Sequence, residues 1–111
     1  MTGSSTPLVE IVTTVGAEAQ AREIAQGLLE ARLAACVHFF PLRSLYRWRG
    51  RVCDEIEHQV VAKTDTRRAE AVERWIRERH PYETPAVLRV PLLAANPDYE
   101  RWALGSLDDS P

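Results

Sequence analysis

The chain has 111 residues, enough for one hydrophobic core and too few for two. Hydrophobic residues make up 45% and charged residues 27%, ordinary proportions for a globular domain, and a net charge of −2 argues against a broad nucleic-acid or anionic-membrane footprint. No apolar run reaches the roughly 18 residues that a membrane-spanning helix requires.

Met1 to Pro7 is small and polar, lacks the charged start and apolar run of a signal peptide, and reads as a disordered leader. Leu8 to Val15, rich in valine and isoleucine, reads as a strand that Gly16 breaks. Ala17 to Leu33 carries Ala21, Ile24, Ala25, Leu28, Leu29 and Leu33 at helical spacing, with Glu18 in the first turn and Arg32 in the last, each suited to the helix dipole. Two strand-like runs follow, Cys36 to Trp48 and Val52 to Thr64, joined through Arg49-Gly50-Arg51. In the second run Val52, Ile56, Val60 and Ala62 alternate with Cys53, Glu55, Glu57, Gln59 and Lys63, the period-two pattern of a half-buried strand. Pro41 predicts a bulge or an edge position in the first arm.

A second helix runs to Arg79, with Asp65 or Thr66 as its cap and Ala69, Val72, Trp75 or Ala71, and Ile76 on its apolar face. Pro81 pushes His80 out of helical geometry, and His80-Pro81-Tyr82-Glu83-Thr84-Pro85 forms a stiff connector. Ala86 to Leu93 is a fourth strand with Pro91 marking an edge, and Asn96-Pro97-Asp98 starts a short helix that ends at Gly105. The order β-α-β-β-α-β with a terminal helix predicts an α+β, ferredoxin-like sandwich: a four-stranded antiparallel sheet with two helices on one face. Its single domain covers residues 8–104, with 105–111 as tail.

The hairpin is long for its domain. Each arm reaches roughly 40 Å at about 3.3 Å per residue, whereas a 100-residue domain spans only about 35 Å. The overhang carries Leu45, Tyr46 and Trp48, and another copy of the chain is the simplest cover for them. Folded this way, Cys53 lies near Tyr46 and roughly 33 Å from Cys36, beyond the about 7 Å that a disulfide allows. Reduced thiols and a cytoplasmic setting follow.

Cys36 and His38, two apart on one strand face, offer sulfur and nitrogen donors suited to copper or a similar ion. The alternative for Cys36 is a small buried hydrophobe. A two-residue turn at Arg49-Gly50 sets Lys63, the only lysine, opposite Cys36, while a three-residue turn or a bulge at Pro41 turns it away. His80, Tyr82 and Glu83 offer an imidazole, a phenol and a carboxylate on a rigid turn, either as ligands or as packing that aims the fourth strand. Arg43, Arg47, Arg49 and Arg51 interleave with Tyr46 and Trp48, a pattern of single-stranded nucleic-acid binding or, better favoured here, of packing on another subunit. No P-loop, CxxC pair or nucleophile elbow is present, and Cys36 with His38 lacks an orienting third group, so no enzyme is expected.

Arg32-Leu33-Ala34-Ala35-Cys36-Val37, Ser44-Leu45-Tyr46-Arg47-Trp48-Arg49-Gly50, Lys63-Thr64, His80-Pro81-Tyr82-Glu83 and Asn96-Pro97-Asp98-Tyr99 together resemble the signatures of the CutA divalent-cation-tolerance family. The resemblance runs from about Leu8 to Leu104 and implies a ferredoxin-like fold, a homotrimer interlocked by the hairpins and similar to PII signalling proteins, and a role in tolerating divalent cations, copper especially. Two departures stand out: His38 where the family often has asparagine, and Ala86 where it often has glutamate. The expected metal ligands are Cys36, His38, His80 and Glu83, and the expected trimer contacts are Leu45, Tyr46, Trp48 and Tyr82. The alternative function is a PII-like signalling or adaptor trimer that holds a small anionic ligand near Lys63, Tyr82 and Glu83 and is read by a protein partner of unknown identity. No organic cofactor is expected.

Overall fold

Seven elements succeed one another in a computed structural model that describes residues 5–108. They are β1 (Leu8–Val15), α1 (Glu18–Glu30), β2 (Cys36–Trp48), β3 (Arg51–Asp65), α2 (Ala69–Arg79), β4 (Val87–Pro91) and α3 (Pro97–Leu107). Of the expected leader and tail, residues 1–4 and 109–111 lie outside the described residues. The strands form one antiparallel sheet in the order β2-β3-β1-β4, as a ferredoxin-like fold requires.

Alternation along the strands decides which face is covered. Val9, Ile11 and Val15 of β1 and Val60 and Ala62 of β3 pack with Ala21, Ile24 and Leu28 of α1 and Ala69, Val72 and Ile76 of α2 in one core. The opposite face is covered only at one corner, where Leu8 and Ala35 meet Ala103 and Leu107 of α3. Leu107 is buried, so α3 continues past Gly105, where the sequence had predicted its end. Guanidinium groups hold that end: Arg32 donates to the Ser106 and Asp108 carbonyls at 3.0 and 3.2 Å, and Arg68 to the Leu107 carbonyl at 2.9 Å.

Arg32 can do this because α1 stops early. The helix ends at Glu30 rather than Leu33, and Arg32 adopts a left-handed φ of 55°. Leu33 N–H donates to the Leu28 carbonyl and Arg32 N–H to that of Leu29, a Schellman closure built without glycine. The second helix likewise starts later than expected, at Ala69. Asp65 still serves its entrance, since its carboxylate accepts the Arg68 backbone N–H at 3.0 Å across the preceding turn.

The hairpin register is continuous from Cys36↔Lys63 to Trp48↔Arg51. Arg49 and Gly50, with φ of 50° and 77°, form a two-residue turn whose twist matches that of the strands. There is no bulge at Pro41: it pairs with His58, and the outer position of β2 tolerates the missing N–H. β1 supports β3 only as far as His58, so the hairpin from Leu42↔Glu57 outward is a two-stranded ribbon. The described chain measures 47 × 33 × 21 Å, and its radius of gyration of 15.2 Å exceeds the roughly 13 Å of a compact chain this long.

Candidate functional site

Chemistry-bearing side chains gather at two places on the open sheet face. The first is the base of the hairpin. Cys36 Sγ lies 3.5 Å from His38 Nε2 on the outer strand. Lys63 stands opposite Cys36 but is already engaged, 3.5 Å from the Glu10 carboxylate and 5.5 Å from the centre of the Tyr99 ring. Lys63 and Glu10 are both largely covered, which shields the pair from solvent screening.

The second place lies where the connector after α2 folds against the ribbon. Pro81 turns the chain out at His80, as the sequence predicted, and the imidazole swings back onto the sheet. Its Nε2 donates to the Thr14 carbonyl at 2.9 Å and its Nδ1 accepts the Tyr82 backbone N–H at 3.1 Å. Only a neutral ring satisfies both bonds. Burial pushes the His80 pKa down, against the opposing pull of the Thr14 carbonyl and the Glu57 carboxylate.

Tyr82 then reaches Glu57, donating its hydroxyl to Oε2 at 2.5 Å. Burial, and next this bond to a carboxylate, push the phenol pKa above its ordinary value, so it stays protonated at neutral pH. Tyr46 makes the parallel bond to Glu55, which raises its pKa ahead of any effect of burial. Glu83 meets Arg49 of the hairpin turn at 3.3 Å, an exposed pair that contributes little in water. Between ribbon and connector lies an open cavity of about 850 Å³, whose walls include Tyr46, Trp48, Glu55, Glu57, Tyr82 and Glu83.

Fold and motifs together meet a known family. The model of the CutA1 divalent ion tolerance protein matches residues 9–106. The chain belongs to the CutA1 divalent ion tolerance family. It is 40% identical to the divalent-cation tolerance protein CutA of Pectobacterium atrosepticum over 100 residues, 89% of this chain and 91% of the relative. Against the CutA of Thermus thermophilus it is 38% identical, covering 83% of this chain and 90% of the relative. The solved structure of CutA from Synechococcus elongatus superposes with a TM-score of 0.90 at 37% identity, covering 94% of each chain. Membership supports a role in divalent-cation tolerance.

Within this CutA1-family chain the four expected metal ligands do not converge. Cys36 and His38 come together, whereas His80 is spent on Thr14 and Tyr82, and Glu83 sits by the hairpin turn. Among the described residues no three His, Cys, Asp or Glu side chains are close enough to hold a metal ion. Nor does one chain bring Lys63 to Tyr82 and Glu83: Tyr82 bonds Glu57, six positions down β3, about 20 Å along the strand. The expected trimer contacts Leu45, Tyr46, Trp48 and Tyr82 are all exposed in the single chain.

Sequence reasoning missed Glu57. Period-two alternation assigned it to the outward, polar side of the strand, yet it is 8% exposed while Val52 and Ile56 on the apolar side are 64% and 60% exposed. The inversion has a plain cause. Past His58 no helix among the described residues covers the apolar face of the ribbon, where Val52 and Ile56 stay exposed, and Tyr82 covers the polar one. Val52 and Ile56 in phase with Val60 were the available signal that the apolar stripe outruns the chain's own core.

Proposed function

We propose that three copies of the chain form a ring interlocked by their hairpins, and that this cytoplasmic assembly binds copper or a similar cation at Cys36 and His38. The carrying observation is the 3.5 Å approach of Cys36 Sγ to His38 Nε2 on the outer strand. A thiolate and an imidazole suit soft and borderline ions. Two donors leave such an ion under-coordinated, so donors from a neighbouring subunit complete the site. The ribbon exposes apolar side chains on both faces, Leu45, Val52 and Ile56 on one and Tyr46 and Trp48 on the other, which supports assembly through it. The two cysteines are free, and their register positions at Cys36↔Lys63 and Tyr46↔Cys53 keep them far apart, in accord with a reducing compartment.

Calorimetric titration with copper under reducing conditions tests the site. Uptake should be lost in Cys36→Ser and weakened at least about tenfold in His38→Ala, a charge-neutral loss of one donor. An unchanged isotherm in Cys36→Ser removes the proposal. The adaptor reading, with a small anionic ligand, requires Lys63 of one subunit to meet Tyr82 and Glu83 of another; saturable anion uptake abolished in Lys63→Ala would favour it.

A further inference from the structure

We infer that the cavity between the ribbon and the connector after α2 is a binding site for a small organic ammonium ion, a short aliphatic diamine being the simplest fit. Three observations carry this. Glu57 is 8% exposed, and among the described residues no arginine, lysine or histidine pairs with it; its bonded partner is the Tyr82 hydroxyl. A carboxylate held out of water without a cation is unfavourable, and an entering ammonium group relieves that. Second, the walls present two further carboxylates, Glu55 and Glu83, beside the aromatic rings of Tyr46, Trp48 and Tyr82. Aromatic faces attract cations, and three carboxylates repel an anion. Arg43 also borders the cavity, but Asp54 neutralises it through two bonds of 2.8 and 2.9 Å.

The third observation concerns the smaller alternative, a metal ion held within one chain. The carboxylates are too far apart for any three to grip one metal ion. A diamine instead carries two positive charges on separate nitrogens, so it can meet more than one carboxylate of the wall. One ammonium would donate to the carboxylate of Glu57, and the second charge would be drawn to the other carboxylates of the wall, of which Glu83 is held only by an exposed, weak pairing with Arg49. Because Tyr46, Trp48 and Tyr82 are also proposed subunit contacts, the site would lie at the boundary between subunits. It is independent of the proposed copper site, which stands about 20 Å away along β2, so the two titrations are read separately.

The test uses the full chain as it assembles and three four-carbon probes: butane-1,4-diamine, butane-1,4-diol and succinate. Calorimetry at low salt should show the diamine binding at least about tenfold more tightly than the diol, with succinate not taken up. Salt should weaken diamine binding. Glu57→Gln should reduce diamine affinity at least about tenfold, whereas Glu30→Gln, at the far end of α1, should leave it unchanged. Should Glu57→Gln fail to fold, Glu83→Gln replaces it, and a several-fold loss is expected. Equal binding of diamine and diol overturns the proposal, as does a folded Glu57→Gln that binds as the wild type does. Absence of uptake overturns it too, the cavity then being filled by a neighbouring chain.

Discussion

His80 shows how one residue binds a connector to a sheet. Its two ring nitrogens are used in opposite senses, one donating to Thr14 and one accepting from Tyr82, so the neutral form is built into the fold. The pH consequence has a definite sign. Burial lowers the folded-state pKa, so below the ordinary imidazole value of roughly 6.5 the unfolded chain binds more protons than the folded one. The contribution of His80 is complete above that pH and is lost as pH falls toward the depressed folded value. The advantage of the wild type over His80→Gln in urea midpoint should therefore be larger at about pH 7.5 than at about pH 5.5. A difference that is flat with pH would contradict this assignment. Tyr82 and Glu83 lie on the connector that His80 fastens, and from there Tyr82 reaches Glu57 of β3.

At the scale of elements, the contact of α1 with α2 turns on Gly27. A Cβ built there would lie 2.5 Å from the Trp75 ring, too close for either helix to accept without moving. Gly27→Ala should gain about 1 kcal/mol of helix propensity and lose about 1–3 kcal/mol to overpacking. The net expectation is a modest loss of stability, read as a lower urea midpoint with unchanged slope. A stabilised variant would mean that Trp75 can turn away at little cost. The terminal helix shows the complementary case. α3 has little contact with the main core, yet Leu107 and the two guanidinium groups at its carbonyl end fix it across the corner of the open face. Its Tyr99 is thereby brought over Lys63, which links the helix to the hairpin base.

For the whole molecule, the decisive feature is a ribbon that extends past its own sheet. An isolated two-stranded hairpin is marginal in water, and this one exposes Leu45, Val52 and Ile56 by 60% or more. In the proposed ring a neighbouring chain supplies the missing cover. Ile56→Asp should place a charge in that contact and shift the protein toward a 12.6 kDa monomer in light scattering, from about three times that mass for the wild type. A wild type that is itself monomeric would remove the ring proposal.

By itself the sequence determined the element order, the sheet, the hairpin and its turn residues. Those follow from local rules: apolar periods of 2 and 3.6, Pro81 stopping a helix, Gly50 permitting a left-handed turn. It also showed the family, because the signatures are contiguous stretches of chain. Only the tertiary structure decided the register that sets Cys36 opposite Lys63, since one residue more in the turn would have reversed every side chain beyond it. It also decided that Lys63 is taken by Glu10, that His80 is occupied, and that Glu57 lies buried beneath Tyr82. These are contacts between residues far apart in the chain, and no local period encodes which distant side chain will cover another.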